Sequence, residues 1–185
     1  MNSITRGGKS WRSLAAFIAI LCLFGITGIS QMENEAHMKI SSSKFIEGGN
    51  IPAQFTCDGE NASPDLVIEN LPAAAKSLVL IVDDPDAPRG TFTHWLMWNL
   101  KTDLKEIPVN SPPQDAVQGI NDFGKKKYGG PCPPSGTHRY YFRLYALDVV
   151  LSLPPNSDRK ALDKAIGGHV ITKATLMGRY SRSGK

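Results

Sequence analysis

Residues 128–145 read Tyr-Gly-Gly-Pro-Cys-Pro-Pro-Ser-Gly-Thr-His-Arg-Tyr-Tyr-Phe-Arg-Leu-Tyr, a loop locked by glycine and proline that runs straight into an alternating strand. Proline fixes φ and removes a donor, whereas glycine lets the backbone approach a neighbour closely. Such a loop loses little entropy when held in one shape, so it suits the wall of a pocket. Side chains alternate along the strand that follows, which puts His138 and Tyr140 on one face with Phe142 and Leu144. Two polar groups beside a rigid loop point to a binding site.

Strand-like runs recur along the chain with turn signals between them. Met38–Ser42 is a short first strand, and Asp65–Glu69 follows the turn-rich segment 58–64. Ser77–Asp83 is continuously apolar, as expected of a strand buried on both faces. Thr93–Leu100 alternates and is expected to place His94, Leu96, Trp98 and Leu100 on one face. Thr137–Asp148 is the longest pattern and is rich in aromatics. Helical periodicity appears only near the end. Ser157 is the expected N-cap of a helix over 158–166, with Ala161, Leu162, Ala165 and Ile166 as its apolar stripe and Gly167-Gly168 as its stop. A second helix is expected over 169–177. Many strands followed by terminal helices indicate a mainly β protein, a sandwich with helices packed at one end.

The N-terminus has the layout of a secretory signal. A basic start precedes the 16-residue apolar run 14–29, and Gly28 and Ser30 precede a possible cut before Gln31. The run is shorter than the roughly 20 residues a spanning helix needs. The expected organisation is therefore a leader over 1–30, a polar linker over 31–37 and one folded domain over 38–185. Export to the periplasm or outside the cell follows, with an uncleaved N-terminal anchor as the alternative. The formal charge of +4 belongs largely to the leader: three of the 21 basic residues and none of the 17 acids lie there, leaving 18 against 17. In a near-neutral body no basic cluster advertises nucleic-acid binding, so no nucleic-acid partner is expected.

Polar groups gather where strands end. Asp83, Asp84 and Asp86 lie within four residues, and mutual repulsion favours a raised pKa on one of them. The alternative is that they cap the turn before Pro85 and Pro88. His94 and His138 each read, alone, as a core histidine or as a ligand group. Cys57 and Cys132 remain once the leader is gone, either as a disulfide or as two buried thiols. No close-spaced His-x-His or Cys-x-x-Cys pair occurs, so neither a metal nor a cofactor is expected. Lys125-Lys126-Lys127 reads as a solvated loop that adjoins the pocket loop.

Several motifs in order carry a family likeness. They are Phe55-Thr56-Cys57-Asp58-Gly59-Glu60, Asp84-Pro85-Asp86-Ala87-Pro88, Gly90-Thr91-Phe92-Thr93-His94-Trp95 and Asn121-Asp122-Phe123-Gly124. Tyr128-Gly129-Gly130-Pro131-Cys132-Pro133-Pro134, Gly136-Thr137-His138-Arg139-Tyr140 and Leu176-Met177-Gly178-Arg179-Tyr180 complete the set. From residue 38 to 182 the chain resembles the phosphatidylethanolamine-binding protein family, in its bacterial branch of Raf-kinase-inhibitor-like proteins. The resemblance implies two antiparallel sheets in a Greek-key β sandwich with C-terminal helices. It also implies a small surface pocket for phosphate, phosphoryl headgroups or acetate. Carried over by motif, Asp84, Asp86 and Pro88 line one side, and His94 comes from the central strand. Gly130, Cys132, Pro133 and Pro134 form the loop wall, and His138 and Tyr140 close the site. Eukaryotic relatives carry glycine where Cys132 stands.

An oxyanion in such a pocket needs donors, and the expected ones are His94, His138, the Tyr140 hydroxyl and backbone N–H groups of Gly130–Cys132. Anion binding is then expected to strengthen as pH falls. The expected function is a non-catalytic binding protein that takes a small anionic or phosphorylated ligand. The resemblance adds a possible protein partner, such as a serine protease or kinase, that it modulates or inhibits. Membrane contact is expected only through lipid headgroups or an uncleaved N-terminal segment. The alternative is a hydrolase using Cys132 with a pocket histidine.

Overall fold

The structure is a computed structural model, and it describes residues 37–182; the leader and the linker to residue 36 lie outside the described residues. Eight strands and one α-helix follow in the order β1 (Lys39–Ser41), β2 (Leu66–Glu69), β3 (Ser77–Asp84), β4 (Phe92–Leu100), β5 (Glu106–Ile107), β6 (Val117–Gln118), β7 (Thr137–Leu147), α1 (Arg159–Ile166) and β8 (Val170–Ser181). A single 3-10 turn, Ala53–Phe55, precedes β2. The strands form two antiparallel sheets, β1-β2-β5 and β6-β4-β3-β7-β8.

Burial explains the layering. All eight residues of β3 are buried, because β3 is central in the larger sheet and both of its faces are covered. One face packs against the small sheet: Ile40, Leu66, Ile68 and Ile107 share a core with Leu80, Val82, Trp95 and Phe142. The other face packs Val79, Ile81, Leu96 and Trp98 against Leu162 and Ile166 of α1. Removing this much apolar surface from water is the main favourable term in the fold.

Two expectations about the C-terminus are corrected. Residues 170–181 are the long strand β8, not a second helix. The run Val170, Ile171, Ala174 imitates helical spacing, but Ala174, Leu176 and Gly178 are buried at period two, and Val170, Ile171, Thr172 and Thr175 are β-branched. A full register with β7, from Thr137 opposite Ser181 to Leu147 opposite Val170, decides the matter. The N-cap of α1 is Asp158 rather than Ser157; its Oδ1 accepts the Ala161 N–H at 2.9 Å. Ser157 instead accepts the Ile120 N–H on its carbonyl.

The helix is tied to the sheet by an ion cluster. Asp83, 1% exposed, points from β3 toward α1 and accepts Arg143 Nε at 3.0 Å and an Arg159 guanidinium N–H at 3.0 Å. Breaking a buried pair strands a charge in a poorly solvated place. Asp83→Ala is therefore expected to destabilise the fold by about 3 kcal/mol or more, read as a lower urea midpoint. A loss below about 1 kcal/mol, the range of surface pairs, would show that the cluster is solvated.

Candidate functional site

The turn after β3, the start of β4, the loop after β6 and the start of β7 enclose a cleft of about 550 Å³. That is the size of a small-molecule site. Its wall is assembled around a break in the strand pattern. Val82 pairs with Trp95 and Asp83 with Thr93, so His94 is an extra residue on β4, a β-bulge. Trp95 and Met97 join the core between the sheets, and Leu96 and Trp98 face α1. His94 is freed from both rows and lines the cleft, with its ring 5.2 Å from that of Tyr140. A second irregularity, at Asn99 with φ of 58°, returns Leu100 to the core between the sheets. Of the four residues expected on one face, only Leu96 and Trp98 share it.

The bulge is locked from the loop. His94 Nδ1 lies 2.6 Å from the Gly129 carbonyl, which only accepts, so Nδ1 carries the proton and donates. The Gly129 N–H returns a bond to the His94 carbonyl at 3.1 Å, and Asn121 Nδ2 donates to the same carbonyl at 2.9 Å. Burial lowers the His94 pKa below the ordinary 6.5, and the Gly129 hydrogen bond opposes this without cancelling it. His94 is thus a neutral imidazole at neutral pH, and Nε2 keeps its lone pair.

The three aspartates do not share a field, because each has its own cation or imidazole. Asp83 faces α1 and its two arginines. Asp84 is buried in the cleft and accepts His138 Nδ1 at 2.7 Å on Oδ2, while Oδ1 accepts the Asp86 N–H at 2.8 Å. Asp86 turns outward to Arg139, whose backbone N–H and guanidinium both donate to it. That pairing lowers the Asp86 pKa to about 2. The expected raised pKa from clustering does not arise at Asp86, since alternation and the turn send the carboxylates in three directions.

Seven residues expected in the site line this one cleft: Asp84, Pro88, His94, Cys132, Pro134, His138 and Tyr140. Asp86, Gly130 and Pro133 do not line it. Gly130 belongs to an adjoining groove, where a Cβ would sit 2.4 Å from the Phe55 carbonyl. Its N–H is taken by Asn61 Oδ1 at 2.6 Å, so it is not a free donor for an anion. Sequence reasoning did not place Arg89, Phe92, Asp122 and Phe123 at the cleft. Their signal was present in the Arg89-Gly90 turn and in Asn121-Asp122-Phe123, but nothing local says that these two loops meet.

Two features define the chemistry. Cys132 on the cleft wall is joined to Cys57, with Cα atoms 5.4 Å apart. The thiol that the hydrolase alternative requires is therefore absent. The Tyr140 hydroxyl is buried and forms no hydrogen bond of ordinary geometry. Burial, then the charge of Asp84, push its pKa above the usual tyrosine range, against the opposing pull of the Cys132 N–H. Among the described residues, no cluster of three or more His, Cys, Asp or Glu side chains is arranged to hold a metal ion. No helix among them is long and apolar enough to cross a membrane.

A model of the phosphatidylethanolamine-binding protein family matches residues 41–181. This chain belongs to the phosphatidylethanolamine-binding protein family. It is 47% identical over 178 residues to a UPF0098 protein of Archaeoglobus fulgidus, covering 93% of this chain and 61% of that relative's length. It is 48% identical over 150 residues to a UPF0098 protein of Methanothermobacter thermautotrophicus, covering 78% of this chain and 99% of that one. The fold is similar to that of CT736, a homologue from Chlamydia trachomatis, with TM-score 0.76 and 41% identity over 80% of this chain and 99% of that chain. Escherichia coli YbcL, described as a member of the mammalian family, superposes with TM-score 0.75 and 29% identity over 80% of this chain and all of that one. The family is mainly β with two antiparallel sheets and few helices, as found here.

The disulfide closes a loop of 75 residues and anchors the cleft wall to the 3-10 turn. The Cys57→Ser/Cys132→Ser variant is expected to lose about 2–4 kcal/mol of stability, measured by urea unfolding. An unchanged midpoint would show that the loop is held by its prolines and hydrogen bonds alone. Lowered in the fold, the His94 pKa contributes stability that is present above about 6.5 and lost as pH falls through its folded value. Wild type is thus expected to lose more stability than His94→Gln between about pH 7 and pH 5; parallel losses would remove His94 from the acid response.

Proposed function

We propose that this protein is a non-catalytic binding protein whose cleft takes a small anionic ligand, phosphate or a phosphoryl headgroup in class. The observation that carries the reading is the convergence on one cleft of the buried Tyr140 hydroxyl with two imidazoles, each oriented by a bond at Nδ1. The Tyr140 hydroxyl makes no bond of ordinary geometry within the protein, with Asp84 and the Cys132 N–H as its neighbours, and a ligand oxygen would give it one. His138 and His94 stand beside it with Nδ1 engaged by Asp84 and Gly129, which orients each ring and leaves Nε2 as the remaining nitrogen. Protonation of Nε2 converts each ring into a donor for an oxyanion. Arg89 adds a cation at the rim.

The balance of acids and bases sets the pH response. A bound anion favours the cationic form of His94, so linkage requires affinity to rise as pH falls through the His94 pKa. The rise begins at the pKa that His94 has beside the anion and ends at its ligand-free value, which burial holds below 6.5. In this reading the cleft holds phosphate without cleaving it, and the joined Cys132 supports this because no free thiol remains there to attack.

Tyr140→Phe tests the reading in two directions at once. Removing a hydroxyl that makes no bond of ordinary geometry should leave the ligand-free protein within about 1 kcal/mol of wild type. Calorimetric titration with phosphate at about pH 5.5, below the ordinary histidine pKa, should show weaker binding by roughly tenfold, the equivalent of one lost hydrogen bond to an ion. Equal phosphate affinity in the two proteins, or affinity that is flat from about pH 5 to 8 around the ordinary histidine pKa, would overturn it.

A further inference from the structure

The rim of the cleft is shared with a second cavity. Phe123 packs edge-on against Phe92 and His94, with ring centroids 4.8 and 5.3 Å away. Gly129 makes room for it, since a Cβ there would meet the Phe123 ring at 2.5 Å. Adjoining the cleft, and sharing Phe123 and Cys132 with it, is a groove of about 140 Å³ lined also by Lys125, Lys127, Asn61 and Gly130.

The two cavities differ in charge. The cleft holds Asp84 and Asp122 alongside Arg89. The groove is lined by two exposed lysines and, among the described residues, by no carboxylate. Neither lysine forms an ion pair among the described residues. An ammonium pair with no internal partner is free to meet an external anion.

The loop that carries these lysines is built around one buried side chain. Asn121 Oδ1 accepts the Phe123 and Lys125 N–H groups at 3.1 and 2.9 Å. Asn121 Nδ2 donates to the Lys127 carbonyl at 2.8 Å and to the carbonyl of His94 at 2.9 Å. The Asn121 N–H donates to the Lys125 carbonyl. One residue therefore sets both the bulge in the cleft and the lysine loop beside it. A backbone ordered in advance loses less entropy when its side chains engage a ligand.

We propose that the groove is a second anion subsite, and that the ligand carries two negatively charged groups joined by an apolar arm. One group sits in the cleft beside His94, His138 and Tyr140. The arm crosses Phe123, and the second group lies between Lys125 and Lys127. This rests on the anion reading of the cleft and adds to it the number and separation of the ligand's charges. A single-charge ligand leaves the groove unused and gains nothing from the lysines beyond weak, screened attraction.

A ladder of α,ω-alkane bisphosphonates, compared with alkylphosphonates of the same chain lengths, tests this by calorimetric titration at low ionic strength. At the chain length that spans Phe123, the bisphosphonate should bind about fivefold or more tightly than its monophosphonate counterpart, as two exposed charge pairs allow. Lys125→Gln/Lys127→Gln should abolish that advantage while leaving the monophosphonate affinity within about twofold. Equal affinities at every chain length, or an advantage that survives the double substitution, would overturn the second subsite. If monophosphonates bind and bisphosphonates gain nothing, only this inference falls. If neither series binds, the anion reading of the cleft falls with it.

Discussion

The exchange of hydrogen bonds between His94 and Gly129 is the hinge of this structure. A regular β4 would keep His94 in the row of Leu96 and Trp98, under α1 and away from the cleft. The bulge adds one residue and re-aims a single ring without disturbing the packing on either side. An extra residue in a strand leaves backbone groups without ladder partners, and those groups must find partners when buried. Gly129 and Asn121 supply them at the His94 carbonyl. The loop therefore stabilises the irregularity that makes the cleft, and the irregularity in turn fixes the loop.

Charge separation follows the same logic. Three aspartates in four residues would repel one another in a shared environment. Alternation sends Asp83 to one face of β3 and Asp84 to the other, and the turn directs Asp86 outward to Arg139. Only Asp84 remains with the cleft, where it orients His138. The outcome is a cleft with a modest negative component, two oriented imidazoles and one buried phenol, flanked by a lysine groove with no acid among the described residues. Phe123 stands between these two environments as a member of both linings.

Much of the site was legible because its residue types are demanding. Pro131, Pro133 and Pro134 around Cys132 announce a loop with few conformations, and His138 and Tyr140 follow at strand spacing. The same spacing argument failed at His94, since a bulge cannot be seen in alternation. It failed again over residues 170–181, where β-branched residues at helical intervals compete with a period-two pattern. There β7 supplied the partner that only the strand conformation can use. The Ser157 cap expectation missed by one residue because Ser and Asp are nearly equivalent caps; the Asp158 side chain makes the bond.

Local chemistry by itself determined that the chain is mainly β, that β3 is buried on both faces, and that a rigid loop delivers polar groups to one place. Those properties depend on residues adjacent in sequence, through proline's fixed φ, glycine's close approach and the two-residue period of a strand. Only the tertiary structure decided which face His94 takes, which cation each aspartate meets, that Cys57 and Cys132 are joined, and that Arg89 and Phe123 share a rim. Each of these is a contact across tens of residues, and its energy depends on distance and burial that no local pattern encodes.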